Sequence, residues 1–315
     1  MRNKIFFLIV TAVLFAITGL QAQAPVPLIT QWGGYGSEPG QLRFPTMLAA
    51  DAGGCLFVVD QHNHRVQKFD ATGKFILMWG TKGDAAGQFN YPFGIAIDSK
   101  GDVYVSDMNN NRIQKFTADG RFINSVGGYG TAAGQFKYPY GLAIDASDVV
   151  YVIDAFNYRI QKFTADLRFA GQWGTAESIG IKLYMPHELA IMRDGNVIMS
   201  DRQNHRISIF SPDGKLQSRF GDYAEGKDAP GGFFSEPHGI AVDAAGSLYI
   251  CDRYNFRIQK TDAAGKFRYQ WLATGIFDDS RSFPLGIAIG KNGTIYVADH
   301  YAHQIKQYSI AGLNN

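Results

Sequence analysis

The stretch YPFGIAIDSKGDVYVSDMNNNRIQKFTADGRFINSVG, residues 91–127, decides the fold because it contains four strand signals in succession. Each signal is a short run rich in β-branched or aromatic residues, and turn-forming residues bound it. We predict strand a at 94–98, strand b at 103–106, strand c at 112–116 and strand d at 122–126, with a loop at 107–111 between b and c. The stretch therefore predicts one small antiparallel sheet.

This unit occurs six times along the chain. Prolines stand at 45, 92, 139, 186, 237 and 284, at intervals of 47, 47, 47, 51 and 47 residues, and aspartates at 60, 107, 154, 201, 252 and 299 keep the same intervals. Four antiparallel strands repeated with a period in the forties are typical of a propeller blade. We therefore predict an all-β protein, a six-bladed β-propeller with four-stranded antiparallel blades.

The two ends of the chain predict how the ring closes. The sixth copy ends after its third strand, QIKQYSI (304–310), while LITQWG (28–33) matches the d-strand endings FILMWG (75–80) and FAGQWG (169–174). A closed ring leaves no blade incomplete and no bare strand edge. We expect the N-terminal strand to complete the last blade.

The N-terminus has the composition of an export signal. Arg2 and Lys4 precede an apolar run and a small-residue Ala22-Gln23-Ala24, which predicts a signal peptide at 1–24 and a single propeller domain at 25–315. We expect a secreted or periplasmic monomer with no membrane span, because no later run approaches the roughly 20 apolar residues that a span needs. Without Arg2 and Lys4 the formal charge falls from +2 to 0. No basic field is left to attract nucleic acid.

Several residue types recur in nearly every copy, which indicates a structural role. The Asp that ends strand b and the Arg that opens strand c five residues later bracket a loop containing Asn, so the two charges can meet across a hairpin. The last copy has Ala302 and Gln304 instead, which predicts a looser loop. We expect His64, His205 and His303 to be solvated, and Cys55 and Cys251 to be free thiols because they belong to blades that are not neighbours.

Three segments carry a family resemblance. DQHNHRVQKF (60–69), DRQNHRISIF (201–210) and DRYNFRIQKT (252–261) resemble the NHL repeat. The resemblance implies a six-bladed propeller. For function it leaves RNA platforms, protein-binding modules, sensor domains and a zinc lyase open.

Functional individuality is expected where the copies differ, at the end of the blades that carries the b-to-c loops and d-to-a crossings. After the prolines stand Thr46, Phe93, Tyr140, His187, His238 and Leu285; after the aspartates stand Gln61, Met108, Ala155, Arg202, Arg253 and His300; one residue further on stand His62, Asn109, Phe156, Gln203, Tyr254 and Tyr301. An apolar wall (Phe93, Met108, Tyr140, Phe156) would face a cationic and imidazole-rich wall (His187, Arg202, His238, Arg253, Tyr254, His300, Tyr301). Such a channel mouth suits a small molecule, a peptide or a protein segment with an apolar body and an anionic or carbonyl end. Glu188 lies one residue deeper and is placed to orient a neighbouring His or Arg.

The alternative is a metal-dependent lyase or hydrolase. PHELAIMRDGNVIMSDRQNHRI (186–207) resembles a blade of peptidyl-hydroxyglycine amidating lyase. That resemblance implies His187 as a zinc ligand, Arg202 as a substrate-binding residue, and Tyr254 or Tyr301 as the catalytic tyrosine; Arg253 is a further candidate for holding a carboxylate. Pro-His occurs only in copies 4 and 5, so a catalytic zinc with three protein ligands needs His238 and a third histidine, His300 or His62. We favour an exported binding module over this enzyme and over an RNA platform.

Overall fold

The computed structural model describes residues 26–174, 183–226, 228–273 and 282–310. Within these ranges the chain forms six four-stranded antiparallel sheets. The innermost strands of successive sheets contact one another, and the last contacts the first, so the sheets form a closed ring. The prediction of an all-β, six-bladed β-propeller is confirmed. The predicted signal peptide at 1–24 lies outside the described residues.

Each blade contributes strands a to d in order from the axis outward, and we number all strands along the chain. Blade 1 contains β2 (Pro45–Ala50), β3 (Leu56–Asp60), β4 (Arg65–Phe69) and β5 (Phe75–Trp79). Blade 2 contains β6 (Pro92–Ile97), β7 (Val103–Asp107), β8 (Arg112–Phe116) and β9 (Phe122–Gly127). Blade 3 contains β10 (Pro139–Ile144), β11 (Val150–Asp154), β12 (Arg159–Phe163) and β13 (Phe169–Trp173).

The second half of the ring repeats this order. Blade 4 contains β14 (Pro186–Ile191), β15 (Val197–Asp201), β16 (Arg206–Phe210) and β17 (Leu216–Phe220). Blade 5 contains β18 (Pro237–Val242), β19 (Leu248–Asp252), β20 (Arg257–Thr261) and β21 (Phe267–Leu272). Blade 6 contains β22 (Pro284–Ile289), β23 (Thr294–Asp299), β24 (Gln304–Ser309) and, as its outermost strand, β1 (Leu28–Gly33).

The observed strand bounds differ from the sequence prediction mainly at strand a. Strand c of blade 2 agrees with the prediction, whereas strand a begins at Pro92, two residues before the predicted start at Gly94. Pro92 pairs with Asp107, and the register shifts between Pro92 and Ile95. This bulge bends the start of the strand. The sequence did not predict a strand at Pro92 because a proline followed closely by a glycine is typical of a turn.

Ring closure follows the predicted route. β1 pairs antiparallel with β24, with Trp32 opposite Ile305. The Trp32 ring also packs against Phe69 of blade 1, with 6.1 Å between ring centroids, and against Tyr296 of blade 6 at 6.0 Å. The N-terminal strand therefore completes blade 6 and contributes to its packing against blade 1.

Short 3-10 helices connect strands b and c in the first five blades, and each is followed by a residue with left-handed backbone. These helices are Gln61–Asn63, Met108–Asn110, Ala155–Asn157, Arg202–Asn204 and Arg253–Asn255, and a sixth, Lys291–Gly293, lies between β22 and β23. The following residues are His64, Asn111, Tyr158, His205 and Phe256, with φ between 52° and 56°. This geometry turns the chain into strand c within four residues.

The recurring Asp and Arg are structural, as predicted. In blade 3 the buried Asp154 Oδ2 accepts hydrogen bonds from Arg159 Nε at 2.7 Å and Asn157 Nδ2 at 2.9 Å, while Oδ1 accepts one from the amide of Lys137 at 2.7 Å. The Arg159 guanidinium then donates to the carbonyls of Thr131, Ala132 and Gln135 in the crossing from blade 2. Each such network holds a d-to-a crossing in place.

Blade 6 replaces the arginine with a lysine at another position. Lys306 Nζ lies 2.6 Å from Asp299 Oδ2 and also donates to Ser282 Oγ at 2.8 Å and to the carbonyl of Ala273 at 2.7 Å. The side chain is almost completely buried. The loss of arginine at Gln304 is therefore compensated two residues later.

Cys55 and Cys251 are both free, as predicted. No helix in the described ranges is long and apolar enough to cross a membrane.

Candidate functional site

The b-to-c loops and the d-to-a crossings lie at one end of the ring, which we call the loop-rich face; the opposite end, with the a-to-b and c-to-d turns, is the turn face. At the axis of the loop-rich face, four of the predicted site residues pack together. Phe93 lies 5.1 Å from Tyr140 and 4.7 Å from His187, and His187 lies 4.0 Å from His238, measured between ring centroids. Phe93, His187 and His238 are each less than 7% exposed. We call these four residues the aromatic plug, because their rings fill the mouth.

The neighbours of His238 define its protonation. Nδ1 lies 2.7 Å from the carbonyl oxygen of Glu236, so this nitrogen carries the proton and donates it. Nε2 lies 3.3 Å from Arg253 Nη1 and therefore accepts. Burial, followed by the nearby His187 and the Arg253 guanidinium, holds the pKa of His238 well below its usual 6.5. The imidazole is neutral and orients Arg253.

His187 is buried without a hydrogen-bond partner for Nδ1 among the described residues. Burial lowers its pKa well below 6.5, and the nearby Arg202 and Arg253 guanidinium groups lower it further. The histidine that follows Pro186 is thus a neutral ring packed between the aromatic half of the plug and His238.

Beside the plug lies a group of three charged residues, which we call the arginine cluster: Arg202, Glu236 and Arg253. Arg202 donates to Glu236 Oε2 from Nε at 2.8 Å and from Nη2 at 2.7 Å. Arg253 Nη1 lies 3.9 Å from the same oxygen. All three side chains are between 11% and 20% exposed, so solvent reaches them.

Glu236 is a site residue that the sequence prediction missed, although a signal was present. It directly precedes the proline of copy 5, where the other copies have Phe44, Tyr91, Tyr138, Met185 and Phe283. An acid at a position that is otherwise apolar is the kind of difference between copies that marks a site. The three register positions considered above begin two residues after it, at the residue that follows the proline.

Arg253 lies next to two of the predicted tyrosines. Its guanidinium carbon is 5.0 Å from the ring centroid of Tyr254 and 5.9 Å from that of Tyr301. These distances are within the range of cation–π attraction. Tyr301 is 48% exposed, so the blade 6 side of the cluster presents an aromatic surface to solvent.

His62 and His300 belong to an aromatic cluster around Phe44, which Tyr301 connects to Arg253. The Phe44 ring centroid lies 4.4 Å from that of His62 and 5.2 Å from that of His300. His300 Nδ1 is 3.0 Å from the carbonyl of Pro45, and burial lowers its pKa to about 4. Phe156 lies apart from both groups and packs on Tyr138 at 5.0 Å.

The predicted metal ligands can be compared with what zinc requires. No three His, Cys, Asp or Glu side chains of the described residues are grouped to hold a metal ion. His187 and His238 are adjacent, but both ring nitrogens of His238 are engaged and one faces the Arg253 guanidinium. As placed, these residues do not fit a catalytic zinc, which needs three protein ligands.

Glu188 lies below the plug, where it lines an axial cavity of about 210 Å³. Its Oε1 accepts a hydrogen bond from the amide of Leu189 at 3.0 Å, and its Oε2 has no partner in the described chain. Burial raises the pKa of Glu188 to about 8. We expected Glu188 to orient a His or Arg, but no contact of that kind is seen among the described residues.

The outer histidines do more than contact solvent. His64, His205 and His303 accept hydrogen bonds through Nδ1 from the amides of Tyr91, Glu236 and Phe44 at 3.0–3.1 Å. Each bond joins one blade to the next. The expectation that these three side chains are merely solvated was therefore wrong.

Comparison with known proteins supports the repeat assignment. The NHL repeat model matches residues 89–116, 234–260 and 282–308. No curated protein sequence matches the chain. These matched segments contain parts of blades 2, 5 and 6.

Solved structures share the fold at low sequence identity. A streptogramin B lyase structure aligns with a TM-score of 0.63 and 17% identity, covering 89% of this chain and 97% of the lyase. A Bacteroides thetaiotaomicron protein of unknown function aligns with 0.67 and 18%, covering 90% and 75%. Kuenenia stuttgartiensis hydrazine synthase aligns with 0.61 and 15%, covering 88% and 99%.

At such identities the likeness concerns the fold and not the activity. The repeat matches, the six sheets and the ring closure agree with one another. This chain contains NHL repeats within residues 89–116, 234–260 and 282–308 and has a six-bladed β-propeller fold.

Proposed function

We propose that the protein is an exported binding module that takes up a peptide, a protein segment or a small molecule at its loop-rich face. The observation that carries this proposal is the distribution of exposed tyrosines. The tyrosines that are at least 40% exposed in the described ranges are Tyr35, Tyr129, Tyr138, Tyr158, Tyr184, Tyr223 and Tyr301. All of them belong to d-to-a crossings or b-to-c loops, which lie on this face.

Tyrosine is well suited to recognition because it offers a large amphipathic ring at a low cost in conformational entropy. The other large exposed apolar residues lie mostly on the outer d strands, such as Ile76, Ile123 and Phe169. They are aliphatic or phenyl side chains without a polar end. The chemistry typical of interfaces is thus concentrated on one face.

The crossings that carry three of these tyrosines are held rigidly. Tyr35, Tyr129 and Tyr223 each pair in a short parallel bridge with Leu42, Phe136 and Phe234. Scaffold arginines such as Arg65 and Arg159 bond to carbonyls of the crossings. A preformed surface loses less entropy on binding than a mobile one.

We also propose that the protein is exported and does not bind nucleic acid. The segment at 1–24 has the charge and apolar pattern of a signal peptide, and the rest of the chain has a formal charge of 0. A secreted or periplasmic location would expose the loop-rich face to extracellular partners. N-terminal sequencing of protein recovered from the medium or periplasm tests the export proposal.

A displayed library of random peptides tests the binding proposal directly. We expect selected peptides to bind the wild type and to lose at least about tenfold in affinity for the triple variant Tyr35→Ala, Tyr129→Ala, Tyr223→Ala. The matched control is Ile76→Ala, Ile123→Ala, Phe169→Ala, which removes three exposed apolar side chains from the outer strands. Peptides that bind the tyrosine variant normally but fail on the control would overturn the proposal.

The metal-dependent lyase or hydrolase stays the alternative function. Its predicted residues Arg202, Arg253, Tyr254 and Tyr301 are near one another. The geometry of His187 and His238 offers no specific observation in its favour.

A further inference from the structure

Three charged residues converge at a single junction between blades 4 and 5. Arginine directly after the strand-b aspartate occurs only in copies 4 and 5, at Arg202 and Arg253, and an acid before the proline occurs only at Glu236. The repeated scaffold does not use these positions, because its ion pairs are formed by the Asp and the Arg five residues later. The arginine cluster is therefore an addition to the scaffold and needs its own explanation.

Glu236 satisfies the two guanidinium groups poorly. Both arginines are directed at one oxygen, Oε2, and the contact of Arg253 is long at 3.9 Å. Arg253 Nε is buried without a partner among the described residues. Guanidinium groups pair best with oxyanions that present two oxygens in parallel. One carboxylate oxygen shared by two arginines leaves donors unused.

The backbone of Glu236 is held by two hydrogen bonds that do not involve its carboxylate. Its amide donates to His205 Nδ1 at 3.1 Å, and its carbonyl accepts from His238 Nδ1 at 2.7 Å. Its φ of 51° lies in the left-handed region, which is strained for a non-glycine residue. Two histidines from neighbouring segments, one after a b-to-c helix and one at the start of an a strand, thus clamp the main chain. Moving the carboxylate breaks its two contacts with Arg202 and rotates side-chain torsions, but it requires no change in the main chain.

The charge balance of the cluster favours an additional anion. Two guanidinium groups face one carboxylate, and the adjacent His187 and His238 are buried neutral imidazoles. The rings of Tyr254 and Tyr301 stand beside Arg253 and exclude part of the water that would otherwise screen its charge.

We propose that Arg202 and Arg253 form an oxyanion-binding site on the loop-rich face, and that Glu236 is its internal occupant, which a ligand carboxylate or phosphate displaces. This inference rests on the proposed function, since it specifies the chemistry that the loop-rich face recognises. Displacement exchanges a single-oxygen contact for an oxyanion that bonds both arginines through separate oxygens. Glu236 thereby excludes weak anions and admits only those that bind both guanidinium groups.

Calorimetric titration with sodium phosphate and, separately, sodium acetate tests the site, with chloride used to keep the ionic strength constant. Arg253→Gln should weaken binding about tenfold or more, and Arg253→Lys should restore only part of it because an ammonium cannot bond in a bidentate manner. Glu236→Gln should tighten binding about threefold or more, because the competing charge is removed. Arg121→Gln is the control, since Arg121 is an exposed arginine paired with Asp119 on the turn face.

A Glu236→Gln variant that binds phosphate and acetate no better than the wild type would overturn the role of Glu236. Equal binding by Arg253→Gln and the wild type would place the anion elsewhere. If Arg121→Gln also loses anion binding, the anions respond to the overall positive charge of the protein and not to a specific site. Thermal unfolding of each variant separates these results from misfolding.

The result also stands apart from the peptide test. Peptides that need Tyr35, Tyr129 and Tyr223, together with an anion affinity that Arg253→Gln leaves unchanged, would remove the oxyanion site and leave the binding module. Weaker anion binding by Arg253→Gln and tighter binding by Glu236→Gln, without any tyrosine-dependent peptide, would support the oxyanion site and remove the tyrosine surface as the binding module.

Discussion

His64 Nδ1 accepts a hydrogen bond of 3.1 Å from the amide of Tyr91. A side chain of blade 1 thus holds the residue that directly precedes the first strand of blade 2. Tyr91 has φ 53° and precedes Pro92, which makes its amide hard to satisfy within its own strand. Asn111 serves the next junction in the same way, because its Oδ1 accepts from the amide of Tyr138 at 3.0 Å. At His64, Asn111 and His205 the left-handed residue after the 3-10 helix thus joins successive blades.

Replacing His64 tests this junction with a control that the chain itself supplies. We expect His64→Leu to lower the free energy of unfolding by about 1–2 kcal/mol, because the Tyr91 amide loses its acceptor. His64→Asn should retain most of the stability, since Asn111 performs the same role and asparagine tolerates left-handed backbone. Urea unfolding measures both. Equal losses for Leu and Asn would show that the imidazole packing matters and the hydrogen bond does not.

Replacing a buried scaffold carboxylate should destabilise the protein far more than replacing a surface carboxylate. Asp154→Ala removes the acceptor shared by Arg159, Asn157 and the amide of Lys137, so we expect a loss of about 3–5 kcal/mol. Asp119→Ala, which removes an exposed ion pair with Arg121, should leave the free energy of unfolding almost unchanged. Similar losses at the two sites would contradict a structural role for Asp154.

The plug histidines should make stability depend on pH. The pKa of His187 is well below 6.5 in the folded protein, so the unfolded chain takes up a proton first as the pH falls below 6.5. Stability is then lost at roughly 1 kcal/mol per pH unit for this residue. His187→Phe, which copies Phe93 at the same register, should flatten the dependence between about pH 7 and 5 in urea unfolding. An unchanged slope would mean that His187 titrates alike in both states.

Glu188 should act in the opposite direction. Burial raises its pKa to about 8, from 4.5, so the folded protein retains a proton that the unfolded chain has released between these values. Its contribution to stability is therefore present below pH 4.5 and is lost as the pH rises through about 8. Relative to the wild type, the free energy of unfolding of Glu188→Gln should rise by roughly 1 kcal/mol or more between about pH 5.5 and 8. A constant difference across this range would rule out the raised pKa.

Metal analysis tests the enzymatic alternative. After zinc loading and dialysis we expect less than about a tenth of an equivalent of bound zinc, because His187 and His238 lack a third ligand in the described ranges and Arg253 faces His238. Near-stoichiometric zinc that disappears in His187→Ala would support the lyase or hydrolase instead. An Arg121→Gln sample provides the background level.

The sequence by itself determined the architecture, because each blade repeats a local pattern. Strand c of blade 2 was predicted at its observed bounds, since alternating residues between the b-to-c loop and the TADG turn form a short, complete signal. The pairing of β1 with β24 was also predictable, because LITQWG repeats the d-strand motif. Such inferences need only comparison between copies.

Only the tertiary structure decided which side chains from different blades meet. That Glu236 lies between Arg202 and Arg253, and that His187 packs on both Phe93 and His238, depends on the distance between neighbouring innermost strands and on side-chain torsions. The bulge after each proline further alters the direction of these residues. Repeat spacing specifies the order of residues around an axis, but contact between blades is a property of packing that no single blade encodes.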